Sequence, residues 1–282
     1  MSAFSSQNSD CGFYARLLLD RINIKEIPVD PWKVAEKMGI PVIERKSENR
    51  FDGFLLNVDG EMAIVINSSI KHAPRKNFTI AHEIGHAEIP HHKSQEFKCL
   101  SSSIGIMKGK ELETEANDFA AELLMPASFI KEEIDNHPIG LEVIKSIAEK
   151  YKTSLTSSEV RYINFCTVLA VLVLSECGRI KFSILSNDMN LRLGMVIRPV
   201  IQKDTSLNVL SLAHDFFKNG GNIQGPSEAK ESVDISAWFP GLDYSRYECY
   251  ENSAGLPNFN RVISLIWLKE KYYAEDDSDE SY

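Results

Sequence analysis

The sequence predicts an α+β protein, and three features carry that expectation. Helix-like apolar periodicity with cap signals opens the chain, a strand–turn–strand pattern fills residues 53–67, and from Cys166 onward strand-like runs dominate. Residues from about Cys11 to Ile22 read as a first helix. A second starts at Asp30 (N-cap) and Pro31 (first turn) and stops at Gly39. "FDGFLLNVDGEMAIVIN" reads as two strands joined at Asp59-Gly60, a pair suited to the positive φ angles of a tight hairpin turn. A histidine-rich helix follows, then a polar loop containing "SSSIGIMKGK", then a helix over roughly Glu111 to Leu124 that Met125-Pro126 ends. Two short helices separated near Lys152-Thr153 occupy residues 139–165, the second with a capping box of Thr156 and Glu159. After Cys166 the pattern predicts a hairpin turning at Cys177-Gly178, one helix in "LNVLSLAHDFFKNG", and strands in "SVDISAWF" and "RVISLIWL".

Composition narrows the function classes. A net charge of −9 over 282 residues argues against a surface built to collect phosphates. The five cysteines are scattered and form no C-x-x-C pair, which suits free thiols in a reducing compartment. The start lacks a signal-peptide pattern, and the run from Cys166 to Leu174 is too short to span a bilayer and reads as a buried strand. The expectation is a cytoplasmic protein with no membrane partner; oligomeric state is not legible. The tail "AEDDSDESY" is expected to be disordered.

The chemistry concentrates in "FTIAHEIGHAEIPHH", residues 78–92, which holds four of the seven histidines. On a helix, His82 and His86 lie about 40° apart on one face with Glu83 beside them. Phe78, Ala81, Ile84, Ala87 and Ile89 fill the rest of the circumference, so a mostly buried helix shows one chelating strip. Polar groups buried without partners are costly, and a metal resolves that cost. Glu83 would then be the general base, taking a proton from a zinc-bound water as it attacks a peptide carbonyl.

Such a site needs a third ligand. The spacing H-E-x-x-H-x-x-G-x-x-H would place it at His92, but its turn glycine is Ile89 here, a poor residue for positive φ. The alternative is a glutamate from "ELETEANDFAAELLMP". There Leu112, Ala116, Phe119, Ala120 and Leu123 form an apolar stripe, with Glu113 inside the wall of that buried face. Glu115 falls with Glu111, Asp118 and Glu122 on a strip expected to be solvated. Glu113 is therefore the expected ligand and Glu115 the reserve, with Asn117 placed to orient a ligating histidine. His91 and His92 are expected at the surface near the cleft.

With these residues in place, "FTIAHEIGHAEIPHH" followed by "EANDFAAELLMP" resembles the ImmA/IrrE metallopeptidases, as do "NSS" at 67–69 and "YKTSLTSSEVRYI". The resemblance implies a zincin-like metallopeptidase domain with a small β-sheet and active-site helices over residues 1–135, and a helical linker resembling a helix-turn-helix over 136–165. It further implies a C-terminal α+β GAF-like sensor domain over 166–273, ahead of the tail at 274–282. It implies a zinc-dependent endopeptidase, with manganese as a replacement metal, that cleaves a helix-turn-helix (XRE-type) repressor and relieves repression under stress or during mobile-element induction. The family's ligands and base carry onto His82, His86, Glu113 and Glu83.

Two other classes compete. A DNA-binding regulator would present Ser157, Ser158 and Arg161 from the helix in "TSLTSSEVRYI", but only one of these is basic and the chain is acidic, which argues against direct DNA binding. A ligand-sensing regulator with a structural or vestigial metal site has no need of a base such as Glu83.

Overall fold

In the computed structural model, residues 11–46, 51–92, 106–218, 228–243, 245–256 and 259–271 are described. The acidic tail and Cys99 lie outside them. The chain divides into two compact units, one of residues 1–135 and 145–161, the other of 136–144 and 162–282.

The first unit opens with α1 (Cys11–Arg21) and α2 (Pro31–Lys37). Asp30 caps α2 by accepting from the Trp32 N–H, and Gly39 ends the segment at φ +72°. Strands β1 (Val42–Arg45), β2 (Gly53–Val58) and β3 (Glu61–Asn67) form a sheet of order β1-β3-β2. β1 runs parallel to β3 and β2 antiparallel, with Asp59 and Gly60 turning the hairpin at φ +53° and +91°. Helices α3 (Ala73–Glu88), α4 (Ile106–Leu124) and α5 (Ala127–Asp135) follow. The core joins Leu18 and Val34 to Ile64 and Ile66 of the sheet, Ile80 and Ile84 of α3, and Phe119 and Leu123 of α4. All five residues expected to form the apolar stripe of α4 are buried.

α4 begins at Ile106, inside the segment expected to be loop, so Gly109 is tolerated within a helix. One such glycine costs a helix only about 1 kcal/mol. Helix α5 had no cap signal beyond Pro126 and was not anticipated.

The chain passes between the units within α6 (Leu141–Tyr151) and α7 (Leu155–Phe165). The expected capping box is displaced. Ser154, two residues earlier than Thr156, accepts from the Ser157 N–H, and Glu159 is only 5% exposed. Two side chains that DNA reading would require point into the fold. Ser158 is buried against Thr153, and Arg161 donates to Glu122 and to the Met125 carbonyl. Glu122, expected on a solvated strip, is 3% exposed because this arginine and Arg16 partner it.

The second unit is an antiparallel sheet of β4 (Leu169–Glu176), β5 (Arg179–Leu185), β6 (Glu228–Val233), β7 (Tyr247–Leu256) and β8 (Arg261–Glu270), ordered β5-β4-β8-β7-β6. Cys177 and Gly178 turn the β4–β5 hairpin with positive φ. Val171, Val173 and Ile266 pack with Phe217, Trp238 and Phe239. Buried Glu251 accepts from the Leu212 and Ala213 N–H groups, the Trp238 indole and the Ser253 hydroxyl, fastening two short helical turns to β7. This β-rich region is consistent with a GAF-like domain. Helix α8 (Asn187–Ile197) and strand β7 were not anticipated, and the helix expected over 207–220 is only α9 (Leu212–Asp215). "SVDISAWF" leaves the sheet after Val233 for a 3-10 turn. Among the described residues no helix is long and apolar enough to cross a membrane.

Burial pushes the Glu159 carboxyl up to about 7. Between pH 4.5 and 7 the folded state keeps a proton that the unfolded chain has released, so stability falls as pH rises through that window, by up to about 3 kcal/mol. Denaturant unfolding at pH 5 and pH 8 should show Glu159→Gln gaining stability over wild type as the pH rises; a constant difference contradicts this. At Gly53 a Cβ would meet Thr79 Cγ2 at 2.4 Å and the Val65 carbonyl at 3.1 Å. Gly53→Ala should therefore cost about 1–3 kcal/mol. Adding Thr79→Ser, which deletes that methyl, should recover part of it; no recovery would mean the strain lies elsewhere.

Candidate metal centre

The site is assembled where α3 crosses α4. A Cβ on Gly85 would lie 3.1–3.3 Å from Phe119, so glycine within the H-E-x-x-H turn lets the two helices approach closely. That approach brings Glu113 over the histidine strip. His82 Nε2 and His86 Nε2 lie 3.0 Å apart. Glu113 Oε2 is 3.2 Å from the first, and its Oε1 is 3.6 Å from the second.

These three groups fit a divalent cation. Ligand atoms about 2.0–2.2 Å from a shared tetrahedral metal sit roughly 3.3–3.6 Å from one another, close to the separations seen. Both imidazoles converge through Nε2, and each Nδ1 is engaged from behind. Asn117 Oδ1 lies 3.0 Å from His82 Nδ1, and His92 Nδ1 lies 3.0 Å from His86 Nδ1. An amide oxygen behind a ring fixes the tautomer that leaves Nε2 free to bind.

Burial lowers the pKa of His82, but hydrogen bonding to Glu113 and the charges of Glu83 and Glu113 outweigh it, and the net direction is upward. Hydrogen bonds from His82 and His86 hold the Glu113 carboxyl far below the usual carboxylate range. Glu113 is thus held as an anion, suited to a cation.

Glu83 lines the same cleft as the two histidines and is 7% exposed. Burial raises its pKa, against the pull of His82, His86 and a hydrogen bond from the Leu55 N–H. The edge strand β2 therefore holds the carboxylate by its backbone. A cleft of about 280 Å³ runs beside these groups, lined by Gly53 and Leu55 of β2, by Phe78, His82, Glu83 and His86 of α3, and by Glu113 and Asn117 of α4.

Three expectations need correction. Glu113 does not lie within the wall of the buried face; its side chain is 55% exposed, because that part of α4 overhangs the cleft rather than the core. Its place beside the histidines follows from the crossing of two helices, which one helix's periodicity cannot show. Glu115 is not simply solvated either, since its carboxylate pairs with His91 and His92. And His92 is not a surface residue. It is 0% exposed, because Ile89 closes α3 in an extended conformation and a 3-10 turn, Pro90–His92, folds the ring back beneath the helix. His92 meets His86 at Nδ1, the side away from the Nε2 pair, so it does not join the three ligand atoms. Its proximity to Glu115 was not readable from spacing; the one available signal was the turn-forming Pro90.

The family model described as "IrrE N-terminal-like domain", Peptidase_M78, matches residues 35–162. A solved structure described as a Mycobacterium tuberculosis transcriptional regulator superposes with a TM-score of 0.56 at 12% identity, covering 92% of this chain and 75% of that one. That likeness is one of fold. No curated protein matches the chain. The matched segment contains α3, α4 and every residue of the His82–His86–Glu113 group; residues 35–162 thus match the IrrE N-terminal-like domain of the Peptidase_M78 family, which supports a metallopeptidase-like role.

Proposed function

We propose that this chain is a zinc-dependent endopeptidase whose substrate is a helix-turn-helix transcriptional repressor. The observation that carries the enzymatic part is the buried carboxylate of Glu83 beside a His82–His86–Glu113 cluster, at the floor of an open cleft. A site that only bound metal would need the cluster and not the base.

A bound zinc ion would supply Lewis acidity, acidifying a water and polarising a peptide carbonyl. His82 and His86 present Nε2 and Glu113 its carboxylate. Glu83 accepts the proton of the attacking water and passes it to the leaving amine; the apolar burial that raises its pKa makes it a stronger base. The Leu55 N–H keeps that carboxylate aimed at the cleft. β2 is an edge of its sheet and lines the cleft, so an extended substrate segment can add beside it as a further strand. The repressor as substrate class rests on the family resemblance.

The test incubates purified protein with the helix-turn-helix repressor encoded nearest to it. Wild type should cleave at a specific bond. Glu83→Gln should lose about 10²–10⁴-fold in rate while still binding zinc. Glu113→Ala should lose zinc affinity by more than the roughly 10–100-fold typical of a residue that only supports a ligand. Equal cleavage by wild type and Glu83→Gln would remove Glu83 from the mechanism. Stoichiometric zinc with no proteolysis would favour a sensing scaffold.

A further inference from the structure

One buried histidine has no part in the chemistry above. His92 is fully buried, and both its ring nitrogens face polar partners: Nδ1 is 3.0 Å from His86 Nδ1, and Nε2 is 2.9 Å from Glu115 Oε2. His91 Nε2 reaches the same carboxylate oxygen at 2.5 Å. We propose that His92 and Glu115 form a relay that orients His86 and strengthens it as a ligand, so that metal affinity depends on a carboxylate two imidazoles removed from the cation. This inference rests on the proposed metal site.

Counting protons fixes the relay's direction. A neutral imidazole carries one N–H. Metal binding through Nε2 of His86 leaves its proton on Nδ1, and the atom facing it is Nδ1 of His92, which must accept. The His92 proton then sits on Nε2 and is donated to Glu115. With a metal on His86 Nε2, this assignment gives each of the two contacts one donor and one acceptor. A carboxylate at the far end draws each proton toward itself, leaving more electron density on His86 Nε2, as carboxylate–histidine–metal arrangements do through a single ring.

The same count bears on a second possibility. His91, His92 and Glu115 also lie close enough together to hold a cation. Ligation through His92 Nε2 would put that ring's proton on Nδ1 while His86 also holds a metal, so two N–H donors would face each other across one 3.0 Å contact with no acceptor between them. The relay and an occupied second site are therefore alternatives, and the loaded first site favours the relay. Among the described residues His82 has no such chain behind it; it rests on the neutral Asn117 amide. His86 is thus the more strongly supported of the two histidine ligands.

The experiment titrates the full-length protein with zinc alone, in competition with a chromophoric chelator. The variants are Glu115→Gln, His92→Phe, the double variant and His91→Ala, with circular dichroism confirming the fold of each. Wild type should bind one zinc per chain. Glu115→Gln, at a partly exposed site, should weaken binding about tenfold and His92→Phe about 10–100-fold. The double variant should be no weaker than His92→Phe, since a cut relay cannot be cut again. His91→Ala should stay within about fivefold of wild type. The proposal falls if Glu115→Gln binds like wild type, if the two losses add, or if wild type takes a second zinc that His91→Ala loses. Should His92→Phe fail to fold, Glu115→Gln alone decides. Wild type binding no zinc at all would instead strike the proposed metal site, and the relay with it.

Discussion

The crossing of α3 and α4 at Gly85 and Phe119 is the constraint on which the site depends. Two histidines one turn apart make half a ligand set wherever the helix bearing them lies. They become a three-ligand site only if a second helix comes close enough for a short carboxylate to reach. A hydrogen at Gly85, rather than a methyl, makes room for the Phe119 ring. Below that contact the two helices bury Ile80, Ile84, Ala120 and Leu123 in one core, so apolar packing holds the three side chains of the candidate site together. A second close approach, Gly53 against Thr79, brings β2 to the other side of α3 and lets the Leu55 N–H meet Glu83. The candidate ligand Glu113 and the proposed base Glu83 are thus positioned by different neighbours of one helix.

This division has an electrostatic consequence. Glu113 and Glu83 are both near two imidazoles, yet their environments drive them in opposite directions. Glu113 stands at the open side with both imidazoles beside its carboxylate, which stabilises its anion. Glu83 is enclosed, and desolvation favours its protonated form. Two carboxylates with pKa values pushed apart, one by neighbouring imidazoles and the other by burial, suit the different tasks proposed for them, ligand and proton carrier.

Much of this was legible in the sequence. The Asp30-Pro31 start, the Asp59-Gly60 and Cys177-Gly178 turns and the buried stripe of α4 follow from local rules about φ, capping and period, and the structure contains each of them. What escaped depends on contacts between segments far apart in the chain. The side chain of Glu113 was expected in a buried wall because period alone cannot distinguish a core from the lip of a cleft. His92 was expected outside because its spacing from His86 shows nothing of the turn that folds it under. Thr156 and Glu159 satisfy a capping pattern, but Ser154 lies nearer the true helix start and takes the role. In the second unit, β7 carries Glu251, Asn252 and Ser253 fully buried, so its polar letters concealed a central strand.

The central claim, a metal held by two histidines of one helix and a glutamate of another, is tested most directly by X-ray absorption at the zinc edge of the loaded protein. The account predicts nitrogen and oxygen donors at about 2.0–2.2 Å, with the outer scattering of two imidazoles and no sulfur. Scattering from three imidazoles would place His92 or His91 on the metal and contradict it.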